Sequence, residues 1–552
     1  MKTDLIRIYK SVHTWTGILS GMALFIAFYA GALTVFKEPL DRWATPPGMA
    51  PSAASVPLEQ APALINGLLA AHPEVARDFT IHLEDNEAVA GRMSWQVRDP
   101  KADDHDSRAV RHFVATLDAS GSAAIADARP SPLGDFIDTL HRVVGLPVDS
   151  DPNRWVMGII CTLYSVALVS GIVIVLPTLV KDFFALRVGR NLKRMWLDAH
   201  NVVGIASLPF HIVMALTAAV FAFHDGIYDI QDKLLHDGRW STALSRGPDA
   251  PGGARKDPSN MLSPAVLAER AREFAPGFEV SHVQYQRVLS PKASVRVWGK
   301  DPAAVLPRAM GGFLAIDPYS GKILSSDFMP GRQDVPSLII SSFFALHMAA
   351  FGGTPVQWMY FVLGLAGAWL FYSGNLLWIE GRRKRAARNG TAPRQRRDVR
   401  ALAAATVGVC IGCVCGISLM IAASKWLGGR ADGLLPWLQG VYYVAFFGCI
   451  AWAFARGAAR AAVELLWLSS VATLAIPATT AVSWLTEGGT AWAHASPATL
   501  GVDFTALAGA LCLMAMAHAT KRRIGRTDRD TDSVWAAPVR GQPAASPARQ
   551  PA

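Results

Sequence analysis

Three histidines lie in the apolar stretch "LDAHNVVGIASLPFHIVMALTAAVFAFHD", residues 197–225. Histidine inside hydrocarbon costs free energy, so such residues usually face a bundle interior and serve a function. Neutral imidazole is also a common ligand for metals and for haem iron. His200 and His211 are eleven residues apart, which on a straight α-helix places them on one face, about 16 Å apart. One helix of this kind could present an imidazole at two depths of a membrane.

Two internal alignments place four histidines at matched positions. "YKSVHTWTGILSGMALFIAFYAGALTVF" aligns without gaps with "WLDAHNVVGIASLPFHIVMALTAAVFAF", which matches His13 with His200. "LHRVVGLPVDSDPNRWVMGIICTLYSVALVSG" aligns with "LHMAAFGGTPVQWMYFVLGLAGAWLFYSG", which matches His141 with His347. The first 380 residues therefore contain two copies of one unit: a helix that opens with histidine, a polar segment, a Leu-His segment and a returning helix. Both copies start on the same side, as parallel repeats do.

The composition indicates an integral membrane protein. Of 552 residues, 51% are hydrophobic and 17% are charged, against roughly 25% charged in soluble domains. Eight stretches reach the length of about 20 residues that a membrane helix needs. They are residues 14–36, 155–177, 200–223, 355–379, 401–423, 437–456, 461–484 and 500–519. About eight transmembrane helices are therefore expected.

The basic residues predict the orientation of the chain. Clusters precede the first span, separate spans two and three, follow span four as "GRRKRAARNGTAPRQRR" and follow span eight as "KRRIGR". Because Lys and Arg are concentrated on the cytoplasmic side, both termini are expected in the cytoplasm. The formal net charge of +10 then belongs to the membrane topology and does not indicate nucleic acid. We expect the first span to be an uncleaved anchor, since its apolar run is longer than a typical signal core.

The two long polar segments are predicted to lie outside and to fold as small α+β domains. "SVRVWGK" alternates as a strand does, and "GFLAIDPYSGKILSSDF" has the pattern strand, turn, strand. The first segment repeats this pattern in "AVRHFVATLDASGSAAIAD". All six cysteines fall in predicted spans, so no disulfide framework is expected. Cys410, Cys413 and Cys415 are interpreted as small packing residues rather than as metal ligands.

These observations predict a domain organisation in ten segments. They are helix 1 at 1–36, external domain 1 at 37–154, helix 2 at 155–177, a cytoplasmic loop at 178–199, helix 3 at 200–223, external domain 2 at 224–337, the His347 segment with helix 4 at 338–379, a basic cytoplasmic loop at 380–400, four additional helices at 401–520, and a disordered cytoplasmic tail at 521–552.

The matched histidines suggest haem ligation. Haem inside a helix bundle takes axial ligands from two helices at one depth. His13 with His200, and His141 with His347, would give two bis-histidine haems, one near each side of the membrane. His211 allows another arrangement, because it could pair with His347 in place of His141. The sequence leaves both arrangements open.

Other candidate residues carry weaker signals. Arg142 follows a matched histidine and could pair with a haem propionate, because guanidinium suits carboxylate geometry. His224 is expected to belong to a loop. The histidines of the polar segments are expected on solvated surfaces, and those of the last four helices have no matched partner.

The opening "HTWTG", the segment "IDPYSGKIL" and the element "LHMAAFGG" together resemble the PepSY-associated transmembrane family, over about residues 5–380. The stretch "HNVVGIASLPFH" is most similar to its siderophore-reductase branch. This resemblance implies a four-helix haem bundle built from two parallel repeats, with two periplasmic PepSY-like domains. It also implies a location in the bacterial inner membrane, two b-type haems and the reduction of a ferric siderophore in the periplasm.

We therefore expect an oxidoreductase that passes electrons across the membrane and releases iron from a siderophore. No nucleotide-binding fingerprint appears, so the electron donor is expected to be a membrane quinol or a cytoplasmic reductase. Two alternatives belong to other classes. One is a non-redox sensor or regulator of a periplasmic peptidase, and the other is a transporter in which His211 relays protons.

Overall fold

A computed structural model gives the fold of the chain. It describes residues 3–46, 56–83, 91–99, 110–117, 121–128, 130–184, 187, 192–224, 226–227, 230, 233, 256–304, 311–388, 396–428, 433–486, 492–494, 496–525 and 534–535. The predicted external segments are described in part, and the predicted disordered tail at 521–552 lies mostly outside these residues.

Helices form most of the described chain. They are α1 Thr3–Thr34, α2 Lys37–Ala44, α3 Ala61–Ala71, α4 Leu133–Arg142, α5 Asp151–Val175, α6 Leu179–Phe183, α7 Leu192–Ala206, α8 Leu208–Ala222, α9 Pro264–Phe274, α10 Val335–His347, α11 Gly353–Arg388, α12 Arg397–Leu427, α13 Leu434–Arg456, α14 Ala458–Leu485 and α15 Pro497–Gly525.

Seven helices of the described chain are long and apolar enough to cross a membrane, or eight if the bent pair α7 and α8 counts as one span. They coincide with the spans that the sequence predicts. The class of α-helical, multi-pass membrane protein is therefore confirmed.

The third predicted span is not one straight helix. The chain bends by 69° between α7 and α8, at Ser207. Pro209 lies in the first turn of α8, where its missing N–H is tolerated, but in a continuous helix its ring would clash with the carbonyl four residues earlier. The prediction that His200 and His211 share one face of a straight helix is therefore wrong.

The two polar segments contribute equally to one antiparallel sheet of eight strands. Its strands are β1 Asp78–His82, β2 Met93–Arg98, β3 Val110–Leu117, β4 Ala123–Ala128, β5 Glu279–Gln286, β6 Ser294–Lys300, β7 Gly312–Ile316 and β8 Ile323–Ser325. Their order is β4-β3-β2-β1-β5-β6-β7-β8. Each segment supplies one four-stranded meander, and the meanders join where β1 pairs with β5.

The expectation of two separate small domains therefore needs correction. Pairing β1 with β5 removes an exposed strand edge from each meander. Both segments also share one apolar core, in which Leu64 and Leu68 of α3 lie with Leu267 of α9, all fully buried. Phe79 and Tyr285 stack across the junction, with ring centres 4.7 Å apart.

The chain divides into two compact units. The first contains residues 1–29, 169–206 and 366–552, and the second contains residues 30–168 and 207–365. The first unit holds His13, His200 and the C-terminal helices α12 to α15. The second unit holds the sheet with His141, His211 and His347.

In the first unit, α12 lies very close to α13 because glycines line their interface. A Cβ atom on Gly408 would lie 2.7 Å from the Cα of Ile450, and one on Gly416 would lie 2.9 Å from the ring of Tyr442. Small residues let membrane helices approach closely and gain dispersion contacts. The four additional helices predicted after residue 400 therefore pack as a bundle.

Two histidines face each other at the junction of the sheet. His82 of β1 and His282 of β5 are register partners, and their ring centres lie 6.0 Å apart. The ring of His282 stacks on Trp298, and His82 Nε2 lies 2.8 Å from the hydroxyl of Ser94. Burial lowers the pKa of each imidazole to about 4, and the neighbouring His282 and Arg92 also lower the pKa of His82.

These lowered pKa values predict that acid destabilises the sheet. The unfolded chain binds more protons than the folded chain between about pH 4 and 6.5, so stability falls as the pH drops through this window. Between pH 7.5 and pH 5, we expect the free energy of unfolding to fall by about 1–2 kcal/mol less in His82→Gln than in wild type, after allowance for solvent screening. Thermal unfolding in detergent at pH 7.5 and pH 5 measures it. Equal loss of melting temperature in wild type and variant would contradict it.

Candidate functional site

Both predicted histidine pairs meet in the structure. His13 of α1 and His200 of α7 have ring centres 6.4 Å apart, with an interplanar angle of 76°. His141 of α4 and His347 of α10 have ring centres 6.1 Å apart, at 33°. Each pair joins equivalent residues of the two sequence repeats, and each lies within one of the two units.

A serine hydroxyl orients the imidazole of His200. His200 Nδ1 lies 2.9 Å from Ser373 Oγ, and the hydroxyl of Ser373 donates its own proton to the carbonyl of Leu370, also at 2.9 Å. Ser373 Oγ therefore accepts, and Nδ1 of His200 is assigned the proton. The lone pair then resides on Nε2, which becomes the nitrogen available to a metal.

A threonine hydroxyl orients His347 in the same way. His347 Nδ1 lies 2.8 Å from Thr217 Oγ1, and the hydroxyl of Thr217 donates to the carbonyl of Val213 at 2.7 Å. The hydroxyl oxygen therefore accepts from Nδ1, and Nε2 again carries the lone pair. Hydrogen bonds of this kind fix the tautomer and the ring orientation of metal-ligating histidines.

The first-repeat histidines lie against glycines. A Cβ atom on Gly171 of α5 would lie 3.0 Å from His13 Cε1, and one on Gly31 of α1 would lie 2.7 Å from His141 Nδ1. Real Cβ atoms essentially never come as close as 2.7 Å to another heavy atom, so the observed placement of the His141 ring requires glycine at position 31. A Cβ at position 171 would move the His13 ring by a few tenths of an ångström.

The ring separations fit two axial imidazoles on one iron. An iron–imidazole bond is about 2 Å long and the ring centre lies about 1 Å behind the nitrogen, so such ring centres are about 6 Å apart. The observed 6.4 Å and 6.1 Å agree with this spacing. The part of the chain that the structure describes has no group of three or more His, Cys, Asp or Glu residues arranged around one metal ion. The ring separations of both pairs are compatible with paired axial ligation.

His211 lies beside a tyrosine. Tyr164 of α5 places its hydroxyl 2.6 Å from His211 Nδ1 and 3.1 Å from the carbonyl of His211. His211 is buried. Of the two arrangements left open by the sequence, the observed ring pair of His141 with His347 corresponds to the symmetric one.

Arg142 makes ion pairs with two carboxylates. Its guanidinium lies 3.1 Å from Asp138 and 2.6 Å from Asp149, and Arg154 also binds the buried Asp149. Arg142 thus connects the C-terminal end of α4, next to His141, to the segment that leads into α5. Its pairing with a haem propionate stays a prediction.

The opposite end of α4 is held by α2. The carboxylate of Asp41 accepts a hydrogen bond from the backbone N–H of Gly134 at 2.6 Å, and Lys37 pairs with Asp135. Burial raises the pKa of Asp41 to about 7, although the Gly134 N–H and the Lys37 ammonium both act in the opposite direction. Contacts at both ends thus orient the helix that carries His141.

Sequence reasoning matched the dipeptides Ser170-Gly171 and Ser373-Gly374, but it did not connect them with the histidines. Thr217 and Tyr164 carried no signal, because their roles depend on which helices become neighbours. His224 lies two residues after the end of α8, where its Nδ1 is 2.7 Å from the carbonyl of Phe221. His105 and His236 lie outside the described residues.

The helices and the sheet define a multi-pass α-helical membrane protein with a polar β-sheet region. The model of the PepSY-associated TM region matches residues 10–380, about two thirds of the chain. The chain belongs to this family. No curated protein matches the chain.

The contact between Gly31 and His141 gives a stability prediction. Alanine is a better helix former than glycine by about 1 kcal/mol, so Gly17→Ala, with open space around its Cβ, is expected to stabilise α1 slightly. Gly31→Ala adds a methyl group against the His141 ring and is expected to cost about 1–3 kcal/mol. Tryptophan fluorescence during thermal unfolding measures both. Gly31→Ala melting at or above the temperature of Gly17→Ala would contradict the contact.

Proposed function

We propose that the protein is an inner-membrane b-type di-haem reductase that passes electrons across the membrane to a ferric siderophore. The observation that carries the proposal is the convergence of two histidine pairs, each at the ring separation of axial ligands on one iron. Bound haem would supply one-electron redox chemistry between these histidines.

The side chains around each pair support this role. Ser373 and Thr217 accept the Nδ1 protons of His200 and His347, so Nε2 of each ring is the ligating atom. Gly171 and Gly31 leave room for the opposite rings of His13 and His141. The protein thus fixes the tautomer of two imidazoles and leaves space for the other two, which lowers the conformational cost of ligation.

The acceptor is proposed from chemistry and from resemblance. The stretch "HNVVGIASLPFH" resembles the siderophore-reductase branch of the family. Reduction of Fe(III) to Fe(II) by one electron weakens its binding to hard oxygen ligands, so the siderophore releases iron. The electron donor is proposed to be a membrane quinol or a cytoplasmic reductase.

Histidine variants test the haem sites. We expect His200→Ala and His347→Ala each to lose about one haem per chain, because each removes one axial ligand of a separate site. His224→Ala removes a histidine just after the end of α8 and is expected to keep the full haem content. Pyridine haemochrome absorbance of the purified, folded proteins measures the count. Unchanged haem content in both ligand variants would refute the proposed ligands.

Ser373 gives a finer test of the tautomer. Ser373→Ala removes the acceptor of the His200 Nδ1 proton, and loss of such a partner typically weakens metal affinity by about 10–100-fold. Ser373→Thr keeps a hydroxyl and is expected to restore haem retention. Haem transfer to apomyoglobin measures the loss rate. Equal rates in all three proteins would show that the hydroxyl has no part in ligation.

The acceptor is tested with the dithionite-reduced protein, after excess reductant is removed. Addition of a ferric trihydroxamate is expected to reoxidise the haem, with Fe(II) appearing in a chelator assay. The gallium(III) complex has the same shape but accepts no electron, so it is the control. A reduced protein that reacts equally slowly with both complexes would exclude a ferric siderophore as the electron acceptor. The proposal of the two haem sites would not be affected by that result.

A further inference from the structure

The C-terminal bundle contains a buried lysine and a buried aspartate. Lys425 of α12 has no exposed surface, and Asp503 of α15 is 9% exposed. In the described residues of α12 to α15, they are the only Lys, Arg, Asp, Glu or His side chains that are buried. Ionisable residues within membrane helices are costly and commonly mark ion pathways or proton relays.

A threonine hydroxyl connects these two charges. Lys425 Nζ donates to Thr480 Oγ1 at 2.8 Å, and the Thr480 hydroxyl donates to Asp503 Oδ1 at 3.0 Å. Both hydrogen bonds point from the lysine towards the aspartate. If each proton moves along its bond, the ammonium becomes an amine, the carboxylate becomes an acid and the hydroxyl is regenerated. No atom or charge is lost, and both products are neutral, which low-dielectric surroundings favour.

A second layer of hydroxyls lies two helical turns away on the same helices. Ser418 precedes Lys425 by seven residues on α12, and Thr473 precedes Thr480 by seven residues on α14. The hydroxyl oxygens of Ser418 and Thr473 lie 2.8 Å apart. Both residues are buried.

Further polar groups continue this column towards the other end of the bundle. Ser469 donates to a backbone carbonyl of α12 at 3.4 Å. Beyond it, the side-chain amide of Asn375 on α11 donates to Thr406 of α12 at 3.1 Å. Glu380 of α11 is 2% exposed and interacts electrostatically with Arg523 of α15. Buried ionisable groups thus lie at both ends of a line of hydroxyls and an amide.

The column is long enough to cross the membrane. Thr406 and Lys425 are nineteen residues apart on α12, which corresponds to about 28 Å along the helix. The hydrocarbon core of a bilayer is about 30 Å thick. Apolar side chains would pack these helices without the desolvation cost of the buried charges, so helix packing alone does not call for these groups.

We propose that α11 to α15 conduct protons across the membrane along this column, with Lys425, Thr480 and Asp503 as the proton-exchanging group at one end and Glu380 at the other. Water molecules would connect the successive layers. This activity does not depend on the haem proposal, because every group named lies outside the histidine pairs. It gives α12 to α15, which follow the family match, a function together with the end of α11.

Proton flux into liposomes tests the proposal. The full-length protein is reconstituted with a pH-sensitive dye inside, and valinomycin with a potassium gradient imposes a membrane potential. We expect acidification or alkalinisation well above that of protein-free liposomes, according to the sign of the potential. Asp503→Asn is expected to lower this flux by about tenfold, because the amide cannot accept the proton. Glu464→Gln, which alters a carboxylate of α14 that pairs with Arg456 near the surface, is the matched control.

Two threonine variants test the proposal independently, in case Asp503→Asn does not fold. Thr480→Val removes the bridging hydroxyl and is expected to abolish most of the flux, whereas Thr480→Ser keeps the hydroxyl and is expected to retain it. Gel filtration and melting temperature establish that each protein is folded. The proposal is overturned if the proton flux into liposomes that contain the wild-type protein equals the flux into protein-free liposomes. It is also overturned if Thr480→Val conducts protons as well as Thr480→Ser.

Discussion

One hydrogen bond from an imidazole to a hydroxyl underlies each histidine pair. Ser373 and Thr217 both give their own protons to backbone carbonyls of the same helix, so their oxygens can only accept from the histidine. This fixes Nδ1 as the protonated nitrogen of His200 and His347 and leaves Nε2 as the ligand atom. A neutral imidazole with its N–H satisfied is also the least costly form in an apolar bundle.

The two repeats support their histidines by different means, although the resulting ring separations are similar. In the second repeat a hydroxyl orients each ring, whereas in the first repeat Gly171 and Gly31 let each ring approach the helix backbone. The pairing of β1 with β5 joins the two repeats outside the helices and buries a shared apolar core. Each repeat therefore supplies one histidine of each pair and four strands of the sheet.

Much of this arrangement could be predicted from the sequence, because it depends on periodicity and repetition. The matched positions of His13 with His200 and of His141 with His347 required only an internal alignment. The bend at Ser207 was missed because the hydropathy of the stretch is continuous, although Pro209 was a visible cause. The single sheet was missed because strand pairing between distant segments leaves no local pattern. The partners of Lys425 and Asp503 likewise depend on which helices pack together, which composition does not reveal.

The most direct test of the central claim is the dithionite-reduced minus oxidised absorption spectrum of the purified wild-type protein, with haem counted per chain. The account predicts b-type α-bands and two haems per chain, with low-spin signals typical of bis-histidine ligation in electron paramagnetic resonance. A folded, colourless protein obtained from cells supplied with haem would contradict it, and the histidine pairs would then require a structural explanation.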